Sequence, residues 1–511
     1  MELQIQKQSL PVSEAVFDSQ CEQSVESDLL LPDYCPDIQR ILSCDVSCLI
    51  RESKAQQQRI SLEGELRLNV LYVSDGGQLR AVEQKIPFSK QLDSKQSVQD
   101  ALVDVQSRVD YLNCRAVSSR RMEIRGAITI SVRAIRCSKA EVLADAKGMG
   151  IQLKKRSFDM NSCVSGGESS FSVREELELG SHPPIGQILS SRVQAVVKDH
   201  KLLSGKIVSK GEVQLHLLYL PLSADENEEP KQLDYTIPVS QILSGGTGDE
   251  DCGCCVSYFV SGWDIQPKAD MDGEMKVLSV EVQLRAVAAV HCEKTVTLVE
   301  DVYSTLCAVE AEESKLSYLN FVRCVQEEHR LRESIGGVKE PKKLLDCRMN
   351  VRDVQSRADG DGILLTAAVT LWALLQDSEG NYQIAEENLN AEHRIPLEAG
   401  QKGLLFGLQL LPLSVEGSLN GGSVEIRAIL QLSASLYEAE QRKAVSGIRV
   451  DENCQKENAG DCALCIYYAD PQESIWDIGK KYNSSVAGIM EENGLEHDIL
   501  PQRTMLLIPM C

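Results

Sequence analysis

The sequence predicts a mainly β protein: three repeated antiparallel β-sandwich or barrel-like domains followed by a small C-terminal β-α-α-β module. Three observations carry that prediction. Alternating apolar and polar residues, the signature of half-buried strands, run through most of the chain. The same succession of strand and turn patterns recurs three times. Only residues 463 to 511 place apolar side chains at helical spacing between two short alternating runs.

Each repeat opens on a charged strand, a turn and an apolar Ile-Leu or Leu-Leu pair: "SVESDLLLPDYCPDIQRILSCDV" (24 to 46), "SVREELELGSHPPIGQILSSRV" (172 to 193) and "VQEEHRLRESIGGVKEPKKLLDCRM" (325 to 349). An apolar strand, a polar turn and Ile-Pro follow, as in "GELRLNVLYVSDGGQLRAVEQKIP" (64 to 87), "GEVQLHLLYLPLSADENEEPKQLDYTIP" (211 to 238) and "AAVTLWALLQDSEGNYQIAEENLNAEHRIP" (367 to 396). A long alternating strand closes each unit, at 122 to 135, 276 to 290 and 422 to 436. Gly-rich turns such as "SDGG" (74 to 77) and "LNGGS" (419 to 423) mark hairpins. The repeats are therefore placed at 1–137, 169–299 and 323–450. Residues 138–168 and 300–322 have weaker periodicity and are expected as connectors, the second with helical character, and 451–462 as a polar hinge.

In the terminal module the alternating runs are "LCIYYA" (464 to 469) and "TMLLIP" (504 to 509). Ile475, Ile478, Gly479 and Tyr482 form one apolar helical face, and Val486, Ile489 and Met490 another. Ser474 and Ser484 or Ser485 suit N-caps, and Asn493-Gly494 is a helix stop.

Composition excludes several functions. The 511 residues are 43% hydrophobic and 25% charged, as in a globular protein, and roughly 100 to 200 residues per domain predicts several cores. The net charge of -23 opposes binding of nucleic acid or anionic lipid, which needs clustered Lys and Arg. The N-terminus lacks a signal-peptide pattern and no apolar run is long enough to insert in a membrane, so a cytosolic protein is expected. No Gly-x-Ser-x-Gly, His-Glu-x-x-His or phosphate-loop motif occurs, and the seven histidines are scattered singly, His216 in a predicted strand and His182 in a turn. The reading is not an enzyme, with no cofactor, although a carboxylate-based glycosidase is one class that motifs alone do not address.

Eighteen cysteines without regular framing read as reduced thiols. The group Cys252, Cys254 and Cys255 offers thiolates to a soft metal but lacks the paired C-x-x-C arms of a structural zinc site. Cys454, Cys462, Cys465 and Cys511 bracket the terminal module, where a zinc or disulfide staple is the alternative to four free thiols. No metal is expected at either group.

"SIWDIGKKY", "IMEENGL" and the closing "LLIP" resemble the LysM domain over almost all of 463 to 511. The resemblance implies a groove between the first strand-helix loop and the second helix-strand loop that holds N-acetylglucosamine polymers. Its positions here are Gln472, Glu473, Ser474 and Ile475 facing Asn493, Gly494, Leu495 and Glu496, with Trp476 beside them as either groove or core. The family's usual Gly-Asp-Thr-Leu is Gln-Glu-Ser-Ile here, so a side chain stands where glycine would let backbone approach a sugar. Three such repeats before one LysM module resemble the SPOCS-LysM architecture of clostridial spore-coat morphogenetic proteins. That resemblance implies a mother-cell scaffold at the forespore surface that encases the forespore in coat. It further implies self-association, contacts with other coat proteins, and a tail docking an ATPase of the stage IV sporulation protein A type. The alternative it leaves is a peptidoglycan-binding protein of the spore cortex or cell wall.

Overall fold

The computed structural model describes residues 3–222, 229–245, 252–338, 340–397, 403–455 and 462–510. The first repeat contains β1 (Gln4–Leu30), β2 (Ile38–Gln56), β3 (Arg59–Ser74), β4 (Leu79–Asp93), β5 (Leu102–Ser118) and β6 (Arg121–Lys147). They pair antiparallel as two three-stranded sheets, ordered β1-β6-β5 and β2-β3-β4. Val25, Ile124, Ile128 and Val103 of one sheet face Ile60, Leu66, Leu68 and Phe88 of the other in a single buried core. Period-two sequence thus becomes a sandwich, because alternate side chains of every strand share one face.

The second repeat has β7 (Ile151–Glu178), β8 (Ile185–Leu203), β9 (Lys206–Pro221), β10 (Lys231–Ser244), β11 (Gly253–Lys268) and β12 (Val277–Ser304), ordered β7-β12-β11 and β8-β9-β10. The third has β13 (Cys307–Ile335), β14 (Pro341–Asp359), β15 (Gly362–Asp377), β16 (Tyr382–Pro396), β17 (Gly403–Asn420) and β18 (Ser423–Gln455), ordered β13-β18-β17 and β14-β15-β16. The three units repeat one topology.

They also share cores. Leu71, Leu218 and Leu374, which occupy corresponding positions in the three apolar strands, meet in one cluster with Leu189, Leu345 and Trp372. Beside it Asp346, fully buried, bonds His216 Nε2 at 3.0 Å and pairs with Arg348 at 3.3 Å. Arg348 stacks on Trp372 at 3.5 Å and reaches Asp45 of the first repeat at 3.3 Å. Charges from all three repeats therefore meet where the sandwiches join.

Residues 138–168 and 300–322, expected as connectors, are strand. β1 with β6, β7 with β12, and β13 with β18 run on past the sandwiches as three ribbons, joined by short turns at 148–150 and 305–306. The three ribbons bury two successive clusters, one with Val142, Leu298 and Ala444, the next with Leu143, Val299 and Val445. Alternation fails there because each ribbon carries a register shift that leaves one residue unpaired: Ala144, Glu300 and Ser446. Leu298, Val299 and Val302 are all buried, Leu298 in the first cluster and Val299 and Val302 in the second, a spacing that imitates a helix face. The proposed hinge is likewise strand as far as Gln455, and its residues 456–461 lie outside the described ones.

The terminal module follows the order β19 (Leu464–Ala469), α1 (Ile475–Tyr482), α2 (Val486–Asn493) and β20 (Thr504–Pro509), with β19 and β20 paired antiparallel. Ala469, Ile475, Ile478, Ile489, Leu506 and Ile508 form its core. Among the described residues no helix is long and apolar enough to cross a membrane.

Candidate functional site

The loop between β19 and α1 is held by local hydrogen bonds. Ser474 caps α1, its Oγ accepting from Trp476 N at 3.1 Å, and Asp498 accepts from the Ser474 hydroxyl and from the same amide. Glu473 turns back on its own loop, accepting from Tyr467 Oη at 2.9 Å and from Asp470 N at 2.8 Å. Gln472 stands exposed with φ +72°, a left-handed backbone that strains a residue carrying a Cβ. Backbone bonds from Gln472 N to Leu500 O and from Ile475 N to Asp498 O join this loop to 498–500.

On the other side, Ser485 caps α2 and Gly494 ends it with φ +62°. The Asn493 amide donates to Ile489 O and Leu507 O and accepts from Leu507 N, each at 2.7 Å, tying α2 to β20. Leu495 packs against the module core, and Glu496 is exposed. Of the nine groove positions, Gln472, Gly494 and Glu496 face solvent. Glu473, Ser474 and Asn493 use their polar atoms inside the module, and Ile475 is core.

Trp476 is 4% exposed and lies on the body of the protein. Its Nε1 donates to Asp301 Oδ2 at 2.8 Å, and its ring meets Tyr303 edge-on at 4.8 Å. Lys480, one turn on, donates to both oxygens of Asp301 at 2.8 Å. Tyr303 Oη donates to Ser484 O at 2.7 Å, beneath Gly479, where an added Cβ would stand 2.6 Å from the Tyr303 Oη. Burial raises the Asp301 pKa, but donation from Lys480 and Trp476 outweighs it and holds the carboxyl below its usual value. The sequence reading did not reach Asp301, Tyr303 or Lys480. A Trp and a Lys four apart on one short helix were the available signal.

The module's outer sheet face is apolar. Leu464, Ile466 and Tyr468 of β19 are 45%, 61% and 62% exposed and Met505 of β20 is 52% exposed, with Ile466 opposite Leu507 and Tyr468 opposite Met505. This ladder was legible in "LCIYYA", where both parities of the strand are apolar, so that one set must face away from the core.

The cysteines depart from the reduced reading. Cys252 and Cys292 form a disulfide across neighbouring strands, and Cys255 and Cys324 form another that joins β11 of the second repeat to β13 of the third. Their partners lie 40 and 69 residues away, which the spacing within 252–255 could not disclose. Cys254 is free, as are Cys462, which is exposed, and Cys465, whose Sγ lies 3.8 Å from Ile466 O. The Cys454 side chain and Cys511 lie outside the described residues.

Residues 37–117 and 184–268 match the family model described as the SPOCS domain of SipL. These segments span β2 to β5 and β8 to β11, corresponding parts of the first two repeats. The comparison with curated proteins gives no match. The third repeat, outside the matched residues, has the same sheet orders. A domain matched twice, on a body of three like sandwiches, shows that this chain carries SPOCS domains and points to a role in sporulation.

Proposed function

We propose that this protein is a non-enzymatic scaffold for spore-coat assembly in the mother cell, its body encasing the forespore surface and its LysM-like tail docking the coat's basement-layer ATPase of the stage IV sporulation protein A type. The observation that carries the reading is the exposed ladder of Leu464, Ile466, Tyr468 and Met505. Contiguous apolar side chains left in water gain free energy when a partner covers them, and among the described residues the outer edge of β19 has no strand beside it, whereas Asn493 occupies the β20 edge at Leu507. Gln472 and Glu496 would line the rim of that dock, and the sandwich faces offer surfaces for self-association and other coat proteins.

The alternative, binding of peptidoglycan in the cortex or wall, needs aromatic platforms beside the groove. Trp476 is turned to Asp301 and Tyr303, and Tyr468 belongs to the outer face instead.

The test uses the full chain with Ile466→Asp and Tyr468→Asp. Removing an aromatic anchor from a dock costs about 2 kcal/mol or more, so capture of the purified ATPase should weaken by about 30-fold. Undiminished capture by the double variant would place the dock elsewhere. Micromolar binding of N-acetylglucosamine oligomers by the wild type would favour the glycan reading, and a tagged copy should form a shell around the forespore.

A further inference from the structure

Where the second and third repeats meet, three ligand-bearing side chains converge from three strands. His200 comes from β8, Cys255 from β11 and Cys324 from β13, and one ligand atom of each lies within 4.8 Å of the others. Cys255 is buried, whereas His200 and Cys324 are partly exposed, so the group can be reached from solvent. In the His200 ring, Nδ1 is buried with no hydrogen-bond partner among the described residues. Nε2 looks at Cys324 Sγ from 3.9 Å, too far for an effective bond. Cys254, next along β11, points the opposite way into the core of the second repeat and is no part of the group.

We propose that His200, Cys255 and Cys324 form a binding site for a zinc-class divalent cation, open when the Cys255–Cys324 disulfide is reduced and closed when it is formed. Two thiolates and an imidazole are the donor set that a borderline-soft cation prefers, and a water would complete a tetrahedron. A dithiol reductant transfers two electrons and two protons to the disulfide, giving two thiols and leaving as its own cyclic disulfide. Binding the cation then releases the two thiol protons to solvent, and both sulfurs serve as ligands. In the oxidised chain each sulfur is bonded to the other and neither carries the thiolate charge. Either state cross-links the second repeat to the third, one by a covalent bond and the other through a metal, so the scaffold keeps this joint in reducing and oxidising surroundings.

The experiment titrates the full chain with Co²⁺ as an optical probe, before and after reduction under anaerobic conditions, then displaces it with Zn²⁺. The reduced chain should take up one Co²⁺ with thiolate-to-cobalt absorption and the oxidised chain none. His200→Asn and Cys324→Ser should each lower affinity by at least the roughly 10–100-fold that loss of even an outer-shell partner costs, while Cys252→Ser leaves it unchanged. In the wild type, Zn²⁺ should protect Cys255 and Cys324 from alkylation, read by peptide mass spectrometry, and leave Cys462 reactive. Absence of stoichiometric uptake by the reduced wild type, or alkylation of Cys255 and Cys324 unchanged by Zn²⁺, overturns the proposal even if a variant fails to fold. So does a band of equal strength in the oxidised chain or in folded His200→Asn.

Discussion

Trp476 donates its indole N–H to Asp301 at 2.8 Å, and through this bond the terminal module is fixed to the end of β12. The contact joins a helix of the tail to a ribbon of the body, so the orientation of the outer apolar ladder depends on it.

Replacing Asp301 by Ala leaves the buried indole N–H without its acceptor and frees Lys480. Hydrogen bonds to a charged group contribute about 1.5–3 kcal/mol, and the half-exposed Lys480 adds little because water screens it. Hydrogen exchange should speed up in α1 and stay constant in the sandwich strands. Equal acceleration in both would mean that Asp301 supports the fold rather than the dock.

The same bond predicts an acid limit. The docked Asp301 carboxyl is held below its ordinary value, so its contribution is complete above the free carboxyl's pKa, about 3.9, and disappears as pH falls through the lowered docked value. Exchange in α1 should rise below about pH 4 in the wild type. In Asp301→Asn, which has no carboxyl at this position, α1 exchange corrected for intrinsic chemistry should lose that component.

How much of this was legible in the sequence depends on the range of the forces involved. Ser474, Ser485 and Gly494 act on backbone groups a few residues away, and their cap roles can be read locally. The partner of Trp476 lies 175 residues upstream, on a strand whose weak periodicity suggested a connector. Part of that weakness comes from the unpaired Ala144 and Glu300, which reset the parity of a strand that is otherwise alternating, as Ser446 does in the third ribbon. His200 and Cys324 show nothing locally to tie them to "CGCC", since only the packing of the second repeat on the third brings them there.

His216 gives a prediction at the alkaline end. Burial lowers its pKa, but Asp234 at 2.6 Å and Asp346 at 3.0 Å outweigh that and raise it to about 9. A raised folded pKa means that the stabilisation is complete below the free value of 6.5 and is lost as pH rises through about 9. The loss should be on the order of 2–3 kcal/mol in urea denaturation between those limits. His216→Asn carries no titrating ring there, and its stability should be lower at neutral pH and flatter across the same interval.

Arg348 is 5% exposed between the buried Asp346 and the Trp372 face. Truncation to Ala leaves the Asp346 charge buried with one cation fewer, which costs about 3–5 kcal/mol where such pairs have been broken. Arg348→Met keeps the stem packed on Trp372 but loses the charge. Its destabilisation should approach that of Arg348→Ala if electrostatics dominate, and fall well below it if the stacked stem does. Denaturation midpoints of the two variants separate the cases.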